Sequence, residues 1–233
     1  MDQLEDFSDG RKYGGCIHCG GVAVTKDHAP SQVFLDRPHP EYLPILPSCL
    51  KCNNELSKHE EYMACLVDCI IAGNVEKVAR EKVKKALAHA PALAARIQAS
   101  CQLDETGAVW SPEMERLQSV VLKCARGHAV YEHSEWRRQE PNHLAIFPLP
   151  MLTEAQRNAF EGEFLEEVAL WPEIGTRAMQ RLMLMNNVVF REAWVEVQEG
   201  RYRYYVDYDG LRLVVRMVFS EYLGAEVIWE SIN

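Results

Sequence analysis

An α+β fold is predicted for this chain of 233 residues by a change of hydrophobic period along it and by its cysteines. Apolar residues between about Leu56 and Tyr131 recur at helical spacing, whereas from Val188 onward VVFREAWVEVQ, RYRYYVDY, LRLVVRMVF and AEVIWE alternate like strands. Near the start, four cysteines fall as two C-x2-C pairs, Cys16/Cys19 and Cys49/Cys52, with 29 residues between the pairs. Together these predict an N-terminal metal-clamped ββα module, a helical middle and a C-terminal antiparallel meander, divided as 1–73 and 74–233.

Hydrophobic residues make up 48% of the chain and charged residues 25%, which predicts a globular protein with ample core and excludes a disordered one. The longest apolar run, Ala64 to Ala72, is interrupted by Asp68 and is too short to span a bilayer. The acidic, polar start MDQLEDFSDGRK lacks the basic and apolar segments of a secretory signal, so a cytoplasmic protein without membrane contact is expected. A net charge of −9 opposes generic attraction to polyanions.

In chain order, residues 1–13 read as a lead-in, and VAVTKDH after Gly20-Gly21 reads as a strand ending at His28. Residues 29–41, with Pro30, Pro38 and Pro40, read as an irregular loop, and Tyr42–Pro47 as a short strand limited by its prolines. A helix begins between Cys49 and Asn53 and runs to Ile71, ended by Gly73, with Leu56, Tyr62, Met63, Leu66, Val67, Ile70 and Ile71 as its apolar stripe. Further helices are expected over Val75–Ala90, from Pro91 to before Gln102, and from a Ser111-Pro112 start to Cys124 or Tyr131. HLAIFPLP holds one short strand, and Thr153–Val168 and Glu173–Met185 read as two helices split by Trp171-Pro172. The final strands join at Glu199-Gly200, Asp209-Gly210 and Tyr222-Leu223-Gly224, which predicts a four-stranded meander. Its run Arg201, Tyr202, Arg203, Tyr204, Tyr205 suits either a half-exposed strand or contact with nucleic acid.

Two C-x2-C turns present four sulfurs to one tetrahedral ion, so Cys16, Cys19, Cys49 and Cys52 are predicted to hold a structural zinc. Such a closed site holds a fold and leaves no position for chemistry. Cys65, Cys69, Cys101 and Cys124 follow no ligand spacing and are expected as core thiols.

Between the knuckles lies the pair Asp27-His28, and the second knuckle opens a helix as Cys49-Leu50-Lys51-Cys52-Asn53-Asn54. With the wording KDHAPS and PSCLKCNNELSKHEEY, this stretch of about 50 residues resembles the HNH endonuclease family, whose ββα-metal core is often clamped by two such knuckles. The resemblance implies metal-dependent hydrolysis of phosphodiester bonds, with DNA as the expected partner. His28 would be the general base, Asp27 a ligand of a catalytic Mg2+ or similar divalent ion, and His59 the ligand from the helix, with Asn54, Glu60 and Glu61 as rivals. One departure is plain: where the family commonly has an asparagine, about five residues before the third cysteine, this chain has Pro44. Residues 1–59 also carry six basic side chains against eight acidic ones, so affinity for DNA would need a protein partner, a homo-oligomer, or Lys77, Arg80, Lys82, Lys84 and Lys85 of the later helices. The alternative class is a zinc-binding scaffold or partner-binding protein on an HNH core that no longer cuts.

Overall fold

The computed structural model describes residues 14–41, 43–105, 107–162, 176, 182–185, 188–191 and 194–230. Strands β1 (Thr25–His28) and β2 (Ile45–Ser48) pair antiparallel, with His28 opposite Ile45, and helix α1 (Leu50–Ala72) follows directly. The chain continues through α2 (Glu81–His89), α3 (Pro91–Ala99), a hairpin of β3 (Cys101–Asp104) and β4 (Gly107–Trp110), and α4 (Met114–His133). Next come β5 (His143–Pro148), α5 (Glu154–Glu161), the pair β6 (Leu182–Met185) and β7 (Val188–Arg191), and then β8 (Val195–Gln198), β9 (Tyr202–Asp209), β10 (Arg212–Phe219) and β11 (Leu223–Glu230).

The fold is mixed helix and sheet, as its periods predict. The last four strands do form an antiparallel meander, but β5 adds to its β11 edge, giving a five-stranded sheet in the order β5-β11-β10-β9-β8. Two other expectations are corrected. Leu182–Met185 was expected to end a helix and is instead a strand paired with Val188–Arg191; an all-apolar LMLM segment has no period of its own, and pairing decides it. The hairpin β3–β4 replaces what reads in sequence as a simple turn. The rest of the expected helix Glu173–Met185, the lead-in 1–13, Trp171-Pro172, and residues 163–168 of the expected helix Thr153–Val168 lie outside the described residues.

Helix α1 is the hub. Its N-cap is Cys49, whose sulfur accepts from the Cys52 amide, and its C-cap is Gly73 in the left-handed region, φ 71°. Residues 62–67 and Cys69 are buried, and α4 packs along the same helix. The start of α4 is not capped by Ser111; the amide of Glu113 donates to the hydroxyl of Tyr62 on α1, 2.9 Å away. Further along, Gly127 lets α4 touch the β1–β2 hairpin, where a Cβ would lie 2.6 Å from the Cβ of Ala29.

The apolar core is continuous across the expected division at 73/74. One apolar core runs from Phe34 and Leu35 through Tyr62 and Leu66 to Val120, Phe219 and Trp229. Phe34 meets Phe219 edge-on at 5.0 Å between centroids. A buried polar seam pins α4 to the sheet: His128 stacks on Tyr204 at 3.7 Å and bonds the Tyr202 hydroxyl at 2.7 Å, while the Tyr204 hydroxyl donates to Glu132. None of the described helices is long and apolar enough to cross a membrane.

Candidate metal centre and the Asp27 cluster

The two knuckles do converge. The ligand atoms of Cys16, Cys19, Cys49 and Cys52 all lie within 4.8 Å of one another. The sulfurs of Cys19 and Cys49 are 3.7 Å apart, close to the ~3.8 Å expected for corners of a tetrahedron with 2.3 Å bonds. Local backbone makes this possible. The Cys16 amide bonds the Gly21 carbonyl and the Gly20 amide bonds the Cys16 carbonyl, each at 2.8 Å, with Gly20 at φ +78°. The amides of Gly21 and Cys52 donate to the sulfurs of Cys19 and Cys49. Arg138, stacked on Trp136, holds the first knuckle from outside by its bond to the Cys16 carbonyl.

Burial works against the Cys16 thiolate, but hydrogen bonds from the backbone of Cys49, Cys19 and His18 bring it down to about 6. Burial and the neighbouring cysteine side chains push Cys52 up. Four sulfurs this close become thiolates together only around a cation, so the donor set fits a metal ion, and zinc is the ion such a set suits. By contrast Cys65, Cys69 and Cys124 are buried core thiols, each pushed up to about 12 by burial.

A few residues away, β1 sends its last two side chains to different surroundings. Asp27 is buried and fully engaged. Its Oδ1 accepts from Lys123 Nζ at 2.7 Å and from the His28 amide at 2.9 Å, and its Oδ2 accepts from His18 Nε2 at 3.0 Å. Lys123, on α4, also donates to Ser31 Oγ at 2.7 Å and to Glu60 Oε1, and Ser31 donates to the same Glu60 oxygen. Burial opposes the Asp27 charge, but the His18 hydrogen bond and Lys123 hold its carboxyl below the usual range. For Glu60, burial wins and the pKa is raised. Lys123 is raised, since Asp27 and Glu60 outweigh its burial.

His28 is half-buried. Burial, Lys123 and His39 lower its pKa against the pull of Asp27, which leaves a neutral imidazole at pH 7. Its Nε2 lies 3.4 Å from the side-chain amide of Gln32. The proline that stands in the expected asparagine position serves the backbone: the Pro44 carbonyl accepts from the Ala29 amide at 3.2 Å.

The expected triad Asp27, His28 and His59 is only partly assembled. Burial lowers the His59 pKa, and the charges that act on it are those of Arg116, Glu115 and Glu113 around the start of α4 and of Glu55 on its own helix, while α1 delivers Glu60 to the Asp27 cluster. Neighbouring helix residues point about 100° apart, so His59 and Glu60 do not share a face. Asn54 and Glu61 are exposed. A divalent ion does not fit at Asp27 in this arrangement, because its oxygens are taken by Lys123, His18 and the His28 amide. Among the described residues the four cysteines are the one His, Cys, Asp or Glu group of three or more with converging ligand atoms.

The basic residues offered as contacts for nucleic acid are largely engaged as well. Tyr202 and Tyr204 are fully buried, Arg201 pairs with Asp36, and Arg203 pairs with Glu161 and Glu221. Arg80 is held by Asp36 and Asp68, Lys82 by the Gln32 and Leu35 carbonyls, and Lys84 by Glu81. Lys26, Arg37, Lys51 and Lys58 are exposed. Sequence reasoning missed Lys123, Ser31, His18 and Gln32. Lys123 carries no motif, and its only sequence signal is a lysine within the apolar run Val120–Cys124 of a helix. Comparison with protein-family models, curated proteins and solved structures finds no match to this chain.

Proposed function

We propose that the N-terminal ββα unit is a zinc-clamped module of HNH type that hydrolyses phosphodiester bonds, with DNA as the substrate class and His28 as the general base. The observation that carries this is the position of His28. It sits at the last residue of β1, partly open to solvent, on a hairpin whose far end is tied by the four cysteines to the start of α1. Its lowered pKa keeps the imidazole neutral, the form that can take a proton from water. Gln32 Nε2 donates to His28 Nε2 at 3.4 Å, so a water that gives its proton to that nitrogen takes the place of this contact. Asp27 acts through the backbone, since its carboxylate accepts from the His28 amide and fixes the end of the strand.

The test is cleavage of plasmid DNA by the full, zinc-loaded chain, with and without added Mg2+ or Mn2+. His28→Ala is expected to lower the rate by about 10²–10⁴-fold while zinc content and melting temperature stay unchanged. Cys49→Ser is the opposite control, losing the metal and the fold together. Cutting by the His28→Ala variant at the parent rate would overturn the assignment.

One observation favours a second reading, that of a zinc-stabilised scaffold or partner-binding protein: the Asp27 carboxylate is consumed by Lys123 and His18. That reading expects no cleavage of DNA or RNA under any metal.

A further inference from the structure

The mismatch between the Asp27 cluster and a divalent ion has a definite chemical content. Two carboxylates from different elements, Asp27 on β1 and Glu60 on α1, approach one another in the interior, an arrangement that ordinarily asks for a metal cation. Here the space between them is filled. The ammonium of Lys123 meets Asp27 Oδ1 at 2.7 Å, Ser31 Oγ at 2.7 Å, and Glu60 Oε1. An ammonium has three protons, and these are its three acceptors.

We infer that Lys123 is the resident cation of the Asp27–Glu60 carboxylate pair, standing where a divalent ion would otherwise bind, so that the module takes no divalent ion at that pair. Three features argue for this. First, the side chains of Lys123, Asp27 and Glu60 are only 3%, 6% and 9% exposed, which leaves no room for the water molecules that Mg2+ retains. Second, the other Asp27 oxygen is also engaged, accepting from His18 Nε2 at 3.0 Å. Third, the lysine is not on a mobile arm. Its helix is pressed onto the hairpin one turn later, where Gly127 meets Ala29 and Leu46.

The inference concerns what fills the carboxylate pair and stands apart from the hydrolysis proposed above. Loss of cleavage would remove that proposal and leave this one, whereas a divalent ion found at Asp27 would remove this one alone.

The experiment is a titration of Mn2+ into the full, zinc-loaded chain, with free Mn2+ read by electron paramagnetic resonance. The parent protein and Asp27→Asn are expected to give the same binding curve, because Asp27 holds no ion. Lys123→Ala is expected to gain one Mn2+ site at least tenfold tighter than any in the parent, and to melt at a higher temperature when Mn2+ is present. Parent binding of one Mn2+ that Asp27→Asn abolishes would overturn the inference, as would a folded Lys123→Ala that gains no site. Should that variant not fold, amine labelling of the parent decides. Lys123 is expected to stay unmodified under native conditions with or without millimolar Mg2+, and its labelling on addition of Mg2+ would show displacement and overturn the inference.

Discussion

At the scale of single residues, the centre of the molecule is a charged cluster built across four parts of the chain. Removing one member of a buried ion pair leaves the others uncompensated, which typically costs about 3–5 kcal/mol. Lys123→Met should therefore lower the urea midpoint strongly, although methionine fits the space. The pH dependence follows from the direction of each shift. Asp27 has a folded pKa below its unfolded value, so its contribution is present above about pH 3.9 and is lost as pH falls through the lower folded value. Glu60 is raised, and its effect has the opposite sign: it favours the folded state at low pH and loses that contribution as pH rises through its folded value. Asp27→Asn should consequently flatten the acid limb of a stability–pH curve measured by chemical denaturation. A curve unchanged below pH 4 would mean that Asp27 is not paired as described.

At the scale of elements, α1 and α4 decide where the site residues go. The sequence marks α1 well: its apolar stripe, the knuckle at its start and Gly73 at its end all agree with the observed Leu50–Ala72. What the stripe does not specify is which polar residue of Lys58-His59-Glu60-Glu61 turns inward, because that depends on the partner helix. Helix α4 settles the matter by presenting Arg116 to His59 and Lys123 to Glu60. Gly127 controls this approach. Gly127→Ala would gain helix propensity in an exposed helix, but here its Cβ lies 2.6 Å from Ala29. The expected outcome is a net destabilisation of about 1–3 kcal/mol, read from denaturant midpoints, together with weaker packing of the hairpin. Short elements were less legible. Leu182–Met185 and Cys101–Asp104 each take their strand geometry from a neighbouring strand, so an isolated segment of four residues carries too little information to identify it.

At the scale of the whole molecule, the region of the two cysteine pairs and the C-terminal sheet share one core. Phe34 and Leu35 of the loop after β1 pack with Tyr62, Val120 and Phe219, and Asp36 is held by Arg80 of the middle segment and Arg201 of the sheet. A fragment ending at residue 73 would expose the apolar face of α1 and lack Lys123. Such a fragment should remain unfolded by circular dichroism and nuclear magnetic resonance even with zinc added, while the full chain folds. A well-dispersed spectrum of the zinc-loaded fragment would instead show that the module is autonomous.

The four cysteines that could hold a metal ion, the α+β class, α1 and the strands of the meander were determined by the sequence itself, since each rests on local spacing: C-x2-C turns, a 3.6-residue stripe, and alternation broken by Glu-Gly and Asp-Gly. The roles of Asp27, Glu60 and His59 were decided only by tertiary structure. A carboxylate beside a histidine reads as a metal ligand until its counter-charge is known, and that counter-charge, Lys123, lies 96 positions from Asp27 in the chain and 2.7 Å from it in space.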